Sequence, residues 1–119
     1  MLKICVDLDG TICETKSEGQ SYRDVKPLEN AVETLEFLKQ RGYYIVINTA
    51  RNMRTCENNL GRVIANQGKI VIEWLEKYCI PYDELLFGKP HVDVFIDDKG
   101  MKFKNWDDVK KQLLEMEGV

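Results

Sequence analysis

The chain has 119 residues, 44% hydrophobic and 31% charged, ordinary usage for a compact unit and too apolar for disorder, so one domain spanning 1–119 with its own core is expected. Its 17 basic against 20 acidic side chains leave a net charge of −3, which argues against the basic field that sequence-independent nucleic-acid binding needs. Four cysteines without a C-x-x-C pair exclude a disulfide scaffold and suggest free thiols in the cytoplasm, and no apolar run approaches the ~20 residues that cross a bilayer.

Along the chain the hydrophobic period switches between strand-like runs and helix-like stripes, the pattern of βαβ units. Leu2, Ile4, Cys5, Val6 and Leu8 form a nearly continuous apolar run, as in a central strand covered on both faces, and it stops at Asp9-Gly10. Residues 13–26 are polar. Pro27 stands at a first helical turn, followed by Leu28, Ala31, Leu35 and Leu38 on one stripe, with Gly42 as the stop. Tyr44 to Ile47 make a second buried strand that leaves through Asn48-Thr49-Ala50-Arg51 into a polar stretch over 52–69, read as a loop. Ile70, Trp74, Leu75 and Tyr78 mark a second helix closed by Pro81. Leu85 to Phe87 and Val92 to Ile96 read as short strands with Lys89-Pro90 between them. Asn105 caps a last helix, with Trp106, Val109, Leu113 and Met116 on its apolar side.

The reactive side chains fall at strand ends: Asp7 and Asp9 after the first, Thr49 after the second, Lys89 after the third, Asp97 and Asp98 after the fourth. In an open parallel sheet ligands bind at the carboxyl ends of the strands, so these four segments should converge on one pocket. The inventory suits phosphoryl transfer through an aspartyl phosphate. A carboxylate and a phosphate ~4 Å apart repel by about 4 kcal/mol per charge pair at an effective dielectric near 20, so cations are required. Asp7 with Asp97 or Asp98 offers the hard oxygens that Mg²⁺ prefers, and Lys89 adds a second positive charge. Thr49 and backbone N–H groups at Leu8, Asp9, Gly10 and Ala50 would take the remaining phosphate oxygens. Asp9 would act as general acid and then general base, Gly10 would let the chain turn, and Arg51 at the pocket mouth would grip a further anionic group of the substrate. His91, beside a proline, reads as a turn residue without a catalytic role.

Each fragment has a plainer reading, since Asp-Gly is often a turn and Asp97-Asp98-Lys99-Gly100 could be a solvated one. Their joint order at four strand ends is what speaks for a site. Asp7-Leu8-Asp9-Gly10-Thr11, Thr49, Lys89 and Ile96-Asp97-Asp98 resemble the four signature motifs of the haloacid dehalogenase-like phosphatases. The resemblance implies a three-layer, Rossmann-like, mostly parallel α/β sheet flanked by helices, Mg²⁺ as cofactor, Asp7 as nucleophile and Asp9 as acid/base. It also implies a metal held by the Asp7 carboxylate, the Asp9 main-chain carbonyl and a motif-four aspartate; of Asp97 and Asp98, Asp97 is expected to contribute the more directly. Thr49-Ala50-Arg51-Asn52-Met53, Ile80-Pro81-Tyr82-Asp83-Glu84 and Phe87-Gly88-Lys89-Pro90 further resemble small capsular polysaccharide biosynthesis phosphatases, which implies a phosphorylated sugar or related small metabolite as substrate.

Two departures from that family are visible. No helix separates Phe87 from Val94, whereas a parallel crossover normally takes a dozen or more residues, so those two strands cannot be parallel neighbours. No cap domain is present, so self-association over the open pocket is expected. A polynucleotide 3′-phosphatase is the alternative enzyme, disfavoured by the acidic balance. A signalling receiver domain is the alternative outside enzymes, disfavoured by motif order, because the Asp-x-Asp pair comes first here and Asp97-Asp98 last.

Overall fold

The computed structural model describes residues 2–118. Three parallel strands, β1 (Lys3–Asp7), β2 (Tyr44–Thr49) and β3 (Glu84–Phe87), lie in the order β1-β2-β3. Val6 sits opposite Ile47 and Asp7 opposite Asn48, while Thr49 sits opposite Phe87. Parallel pairing therefore brings Asp7, Thr49 and the chain leaving Phe87 to one rim. In β2, Ile45, Val46 and Ile47 are all buried, as alternating side chains must be when both faces of a strand are covered.

Three helices flank the sheet. The first, α1 (Ala31–Gln40), buries Ala31, Thr34, Leu35 and Leu38, spaced to form one stripe. The second, α2 (Leu60–Lys77), buries Val63, Gln67, Gly68, Val71, Trp74 and Leu75. It begins well before Ile70 and absorbs much of the stretch read as a loop. Asn59 caps it, its side chain accepting from the Arg62 N–H at 3.1 Å, and a stripe diluted by polar residues, Gly61 and Gly68 hid its first half. The third, α3 (Trp106–Met116), starts at the expected cap, where the Asn105 side chain accepts from the Asp108 N–H at 2.8 Å. Trp106 and Leu113 are buried in it, but Met116 is 65% exposed and does not join its apolar side.

The polar segment after β1 folds back on the body of the protein. Cys13 bridges to Pro27, a single 3₁₀ turn forms over Tyr22–Asp24, and the Trp74 indole N–H donates to the Val25 carbonyl at 2.8 Å. Cys13 and Val25 are fully buried, so two apolar residues anchor an otherwise hydrophilic stretch. Among the described residues no second folded unit stands over the sheet.

The expected strand at Val92–Ile96 is not formed. These residues are irregular and exposed, Ile96 to 95%. An extended segment needs a neighbour to satisfy its ladder of amides, and the four residues Gly88–His91 leave β3 without the crossover that would bring one.

Candidate active site

Asp7 is the last residue of β1, and its half-buried side chain opens into a cleft of about 290 Å³ lined by Asp7, Asp9, Tyr22, Ala50, Arg51, Asn52, Arg54, Thr55 and His91. That is room for a small phosphorylated molecule. The Lys89 ammonium lies 3.6 Å from Asp7 Oδ1, and the Lys89 N–H donates to the Thr49 carbonyl at 3.1 Å, which ties the lysine to the end of β2. Burial pushes the Asp7 carboxyl above the usual carboxylate range, against the opposing pull of Lys89 and of the Leu8 N–H. The shift has a physical meaning: the pocket has too little positive charge of its own to compensate for the desolvated anion.

Past Asp7 the chain turns sharply. The Leu8 carbonyl accepts from the N–H groups of Thr11, Ile12 and Cys13, with the Leu8 side chain in the core. Gly10 sits at φ +82°, where its nearest added-Cβ neighbour would be 3.5 Å away, so it is the backbone conformation and not space that calls for glycine. The Gly10 N–H donates to the Cys13 carbonyl at 2.7 Å and is thus occupied within the turn, contrary to its expected place among the phosphate donors.

Asp9 is held from behind. Arg51 Nη2 donates to its Oδ1 at 2.7 Å and Nε to its Oδ2 at 3.1 Å, while Nη1 reaches Gln67 Oε1 at 3.4 Å. The Arg51 side chain is only 1% exposed, and its guanidinium lies 4.1 Å from the Tyr22 ring centroid. Cys13 Sγ adds a weak donation to Asp9 Oδ1 at 3.5 Å, and burial with the neighbouring Asp9 charge pushes that thiol up to about 12, leaving it a protonated donor. Arg51 was expected to reach out to substrate. The structure turns it inward, because a buried guanidinium must find acceptors and Asp9 and Gln67 supply them.

Thr49 is fully buried. Its hydroxyl oxygen accepts from the Arg51 N–H at 3.0 Å, which leaves the hydroxyl proton free to donate. The Ala50 residue lines the cleft. Asn52 and Arg54, which the sequence leaves open between a solvated face and substrate contact, line the cleft, as does His91, read from the sequence as a turn residue; Tyr22 and Thr55 carry no such signal. Asn52, Glu57 and Asn58 adopt positive φ, and this coiled turn sets Arg54 at the mouth. Asparagine is the non-glycine residue that tolerates that region best, so Asn52 and Asn58 were the one sequence signal of the coil.

Asp97 and Asp98 are not gathered here. Both are exposed, and Asp97 Oδ1 accepts instead from the N–H groups of Lys99 and Gly100 at 2.8 and 2.6 Å, which lowers its carboxyl pKa. The cause is the missing strand before them. With Asp9 taken by Arg51, Asp7 is left as the cleft's one carboxylate without such a clamp, and among the described residues no group of three His, Cys, Asp or Glu could hold a metal ion. The donor set within one copy does not fit the expected Mg²⁺.

Comparisons with known proteins agree with this architecture. No curated protein gives a significant match. A crystal structure of a Vibrio cholerae target protein is 41% identical, with 98% of this chain and 99% of that one aligned at a TM-score of 0.78. D,D-heptose 1,7-bisphosphate phosphatase from B. bronchiseptica, solved with magnesium and phosphate, aligns at TM-score 0.51 and 16% identity over 100% of this chain and 65% of its own. A Pnkp1/Rnl/Hen1 RNA repair complex aligns at TM-score 0.50 and 21% identity over 98% of this chain and 31% of that one. At those identities the last two share the fold. The family model for haloacid dehalogenase-like hydrolases matches residues 4–89, from β1 through Asp7, Asp9, Thr49 and Lys89 and ending short of Asp97, and the chain therefore belongs to the haloacid dehalogenase-like hydrolases.

Proposed function

We propose that the protein is a phosphomonoester hydrolase that works through phospho-Asp7 on a small phosphorylated substrate, a sugar phosphate or related metabolite of surface polysaccharide assembly, in the cytoplasm. The observation that carries this reading is the Asp7 carboxylate at the cleft with the Lys89 ammonium 3.6 Å from its Oδ1. An Asp7 oxygen attacks phosphorus and the bond to the leaving oxygen breaks. Asp9 passes a proton to that oxygen, then takes one from the water that attacks the acyl phosphate, so that phosphate leaves and Asp7 is restored. Lys89 and the Thr49 hydroxyl face charge that grows on the phosphoryl oxygens, with the Ala50 backbone at the same rim. Leu8 and Gly10 serve the turn that aims Asp9. The magnesium requirement goes with whatever brings Asp97 and Asp98 to Asp7.

Exposed Arg54 at the mouth, with Asn52 and Thr55 beside it, suits a substrate with a second anionic or hydroxyl-rich end. Phosphate release from a panel of phosphorylated sugars and sugar acids, with Mg²⁺, tests the reading. Turnover that Asp7→Asn abolishes supports it, and a wild-type protein that releases phosphate from no monoester, a 3′-phosphorylated oligonucleotide included, rejects it.

A further inference from the structure

We propose that two copies of this chain exchange their C-terminal arms from Val92 onward, so that Val92–Ile96 of one copy runs as a fourth parallel strand along the open edge of β1 in the other and carries Asp97 and Asp98 to Asp7. The role given to Asp97 and Asp98 rests on the phosphatase reading above. The register of the pairing rests on the same reading, and the open edge and the exposed arm rest on the fold.

Three observations meet here. The strand order leaves β1 at an edge, although its sequence is the apolar run of a central strand, and Cys5 on it is exposed. The arm offers what such an edge lacks: Val92, Val94, Phe95 and Ile96 are exposed by 49, 70, 54 and 95%. These β-branched and aromatic residues suit a strand and are poorly suited to solvent. The Phe95 ring meets the Lys89 ammonium of its own copy at 5.0 Å, but the backbone of the arm joins no strand, and an open edge and an unpaired apolar strand-former are together a template for pairing between chains.

The third observation decides which copy supplies the strand. For Asp97 to lie level with Asp7, Val92 must begin near the level of Leu2. Phe87 pairs with Thr49, one step above the Asp7 level, so the chain would have to descend about 20 Å and cross three strand spacings, about 14 Å, a straight line of about 25 Å. The five residue steps from Phe87 to Val92 reach about 17 Å when fully extended. In this register a copy cannot place the strand on its own β1. Another copy's edge carries no such restriction, and a hinge too short for the closed form, stiffened here by Pro90, is the condition under which proteins exchange arms. α3 travels with the strand, and its contacts, such as the Trp106 indole N–H to the Thr11 carbonyl at 2.7 Å, re-form between copies. The exchange would also complete the donor set that one copy lacks, placing carboxylates from two chains in one site.

The register sets Phe95 level with Cys5. Under a thiol oxidant, Phe95→Cys is expected to give a disulfide-linked dimer on a non-reducing gel, and the double variant Cys5→Ser/Phe95→Cys is expected to lose it. A disulfide closed within one chain, read by mass as monomer, would overturn the exchange. Independently, Asp7→Asn and the double variant Asp97→Asn/Asp98→Asn, each inactive alone, are unfolded and refolded together. Half of the dimers are then mixed and each mixed dimer holds one intact site, so about a quarter of wild-type activity returns. No recovery from two well-folded preparations would also overturn it. Should the wild type hydrolyse no phosphomonoester, the phosphatase reading fails alone, and the disulfide still decides the exchange.

Discussion

Arg51 grips Asp9 through two nitrogens, at 2.7 and 3.1 Å, from a position where its own side chain is 1% exposed. The Tyr22 ring stacks on the guanidinium and Gln67 accepts from its third nitrogen, so the arginine has no freedom to follow a substrate. Its contacts hold the Asp9 carboxylate in place.

Arg51→Ala is therefore expected to lower kcat by about 10²-fold, equally on a minimal aryl phosphate and on a larger phosphomonoester, because it misdirects a general acid/base. Steady-state kinetics on both substrates check this. A rise confined to KM for the larger substrate would return Arg51 to the substrate-binding role that its sequence position suggests.

Asp7→Asn is expected to abolish turnover, whereas Asp9→Asn slows it by roughly 10² to 10⁴-fold, the usual cost of losing a general acid or base. A highly activated aryl phosphate needs less proton donation in the first step. Phospho-Asp7 should then accumulate in Asp9→Asn and be visible by intact-mass spectrometry after an acid quench.

Burial raises the Asp7 carboxyl while Lys89 opposes it. In metal-free buffer this shift has a consequence for stability. A folded carboxyl that binds its proton more tightly than the unfolded one stabilises the protein below the unfolded pKa and loses that contribution as pH rises through the folded pKa. Asp7→Asn should thus melt above wild type at neutral pH in metal-free buffer, with the gap closing below about pH 4. Thermal melts over that range decide it.

Arg54→Ala is expected to raise KM about tenfold for a substrate with a second anionic group, the loss of one exposed charge-assisted contact, and to leave an aryl phosphate unaffected. Equal loss on both substrates would place Arg54 on the reacting phosphate instead.

Much of this site is a property of the sequence by itself. Asp7 and Asp9 are legible because a buried strand ending in D-x-D-G-T fixes their spacing and direction over five residues, and Thr49 and Lys89 because parallel pairing puts strand ends on one rim. The strands β1, β2 and β3 and the Asn105 cap were visible for the same reason: each depends on neighbours a few residues away. Only the tertiary structure decided the rest. The inward turn of Arg51 depends on the polar segment after β1 folding back at Cys13–Pro27 and on the Trp74–Val25 hydrogen bond, contacts between residues up to 49 apart in sequence. The first half of α2 depends on burial that a diluted stripe does not advertise. Val92–Ile96 has every local mark of a strand, yet a strand is completed by the edge it pairs with, and the four residues after β3 are too few for a crossover to a parallel neighbour.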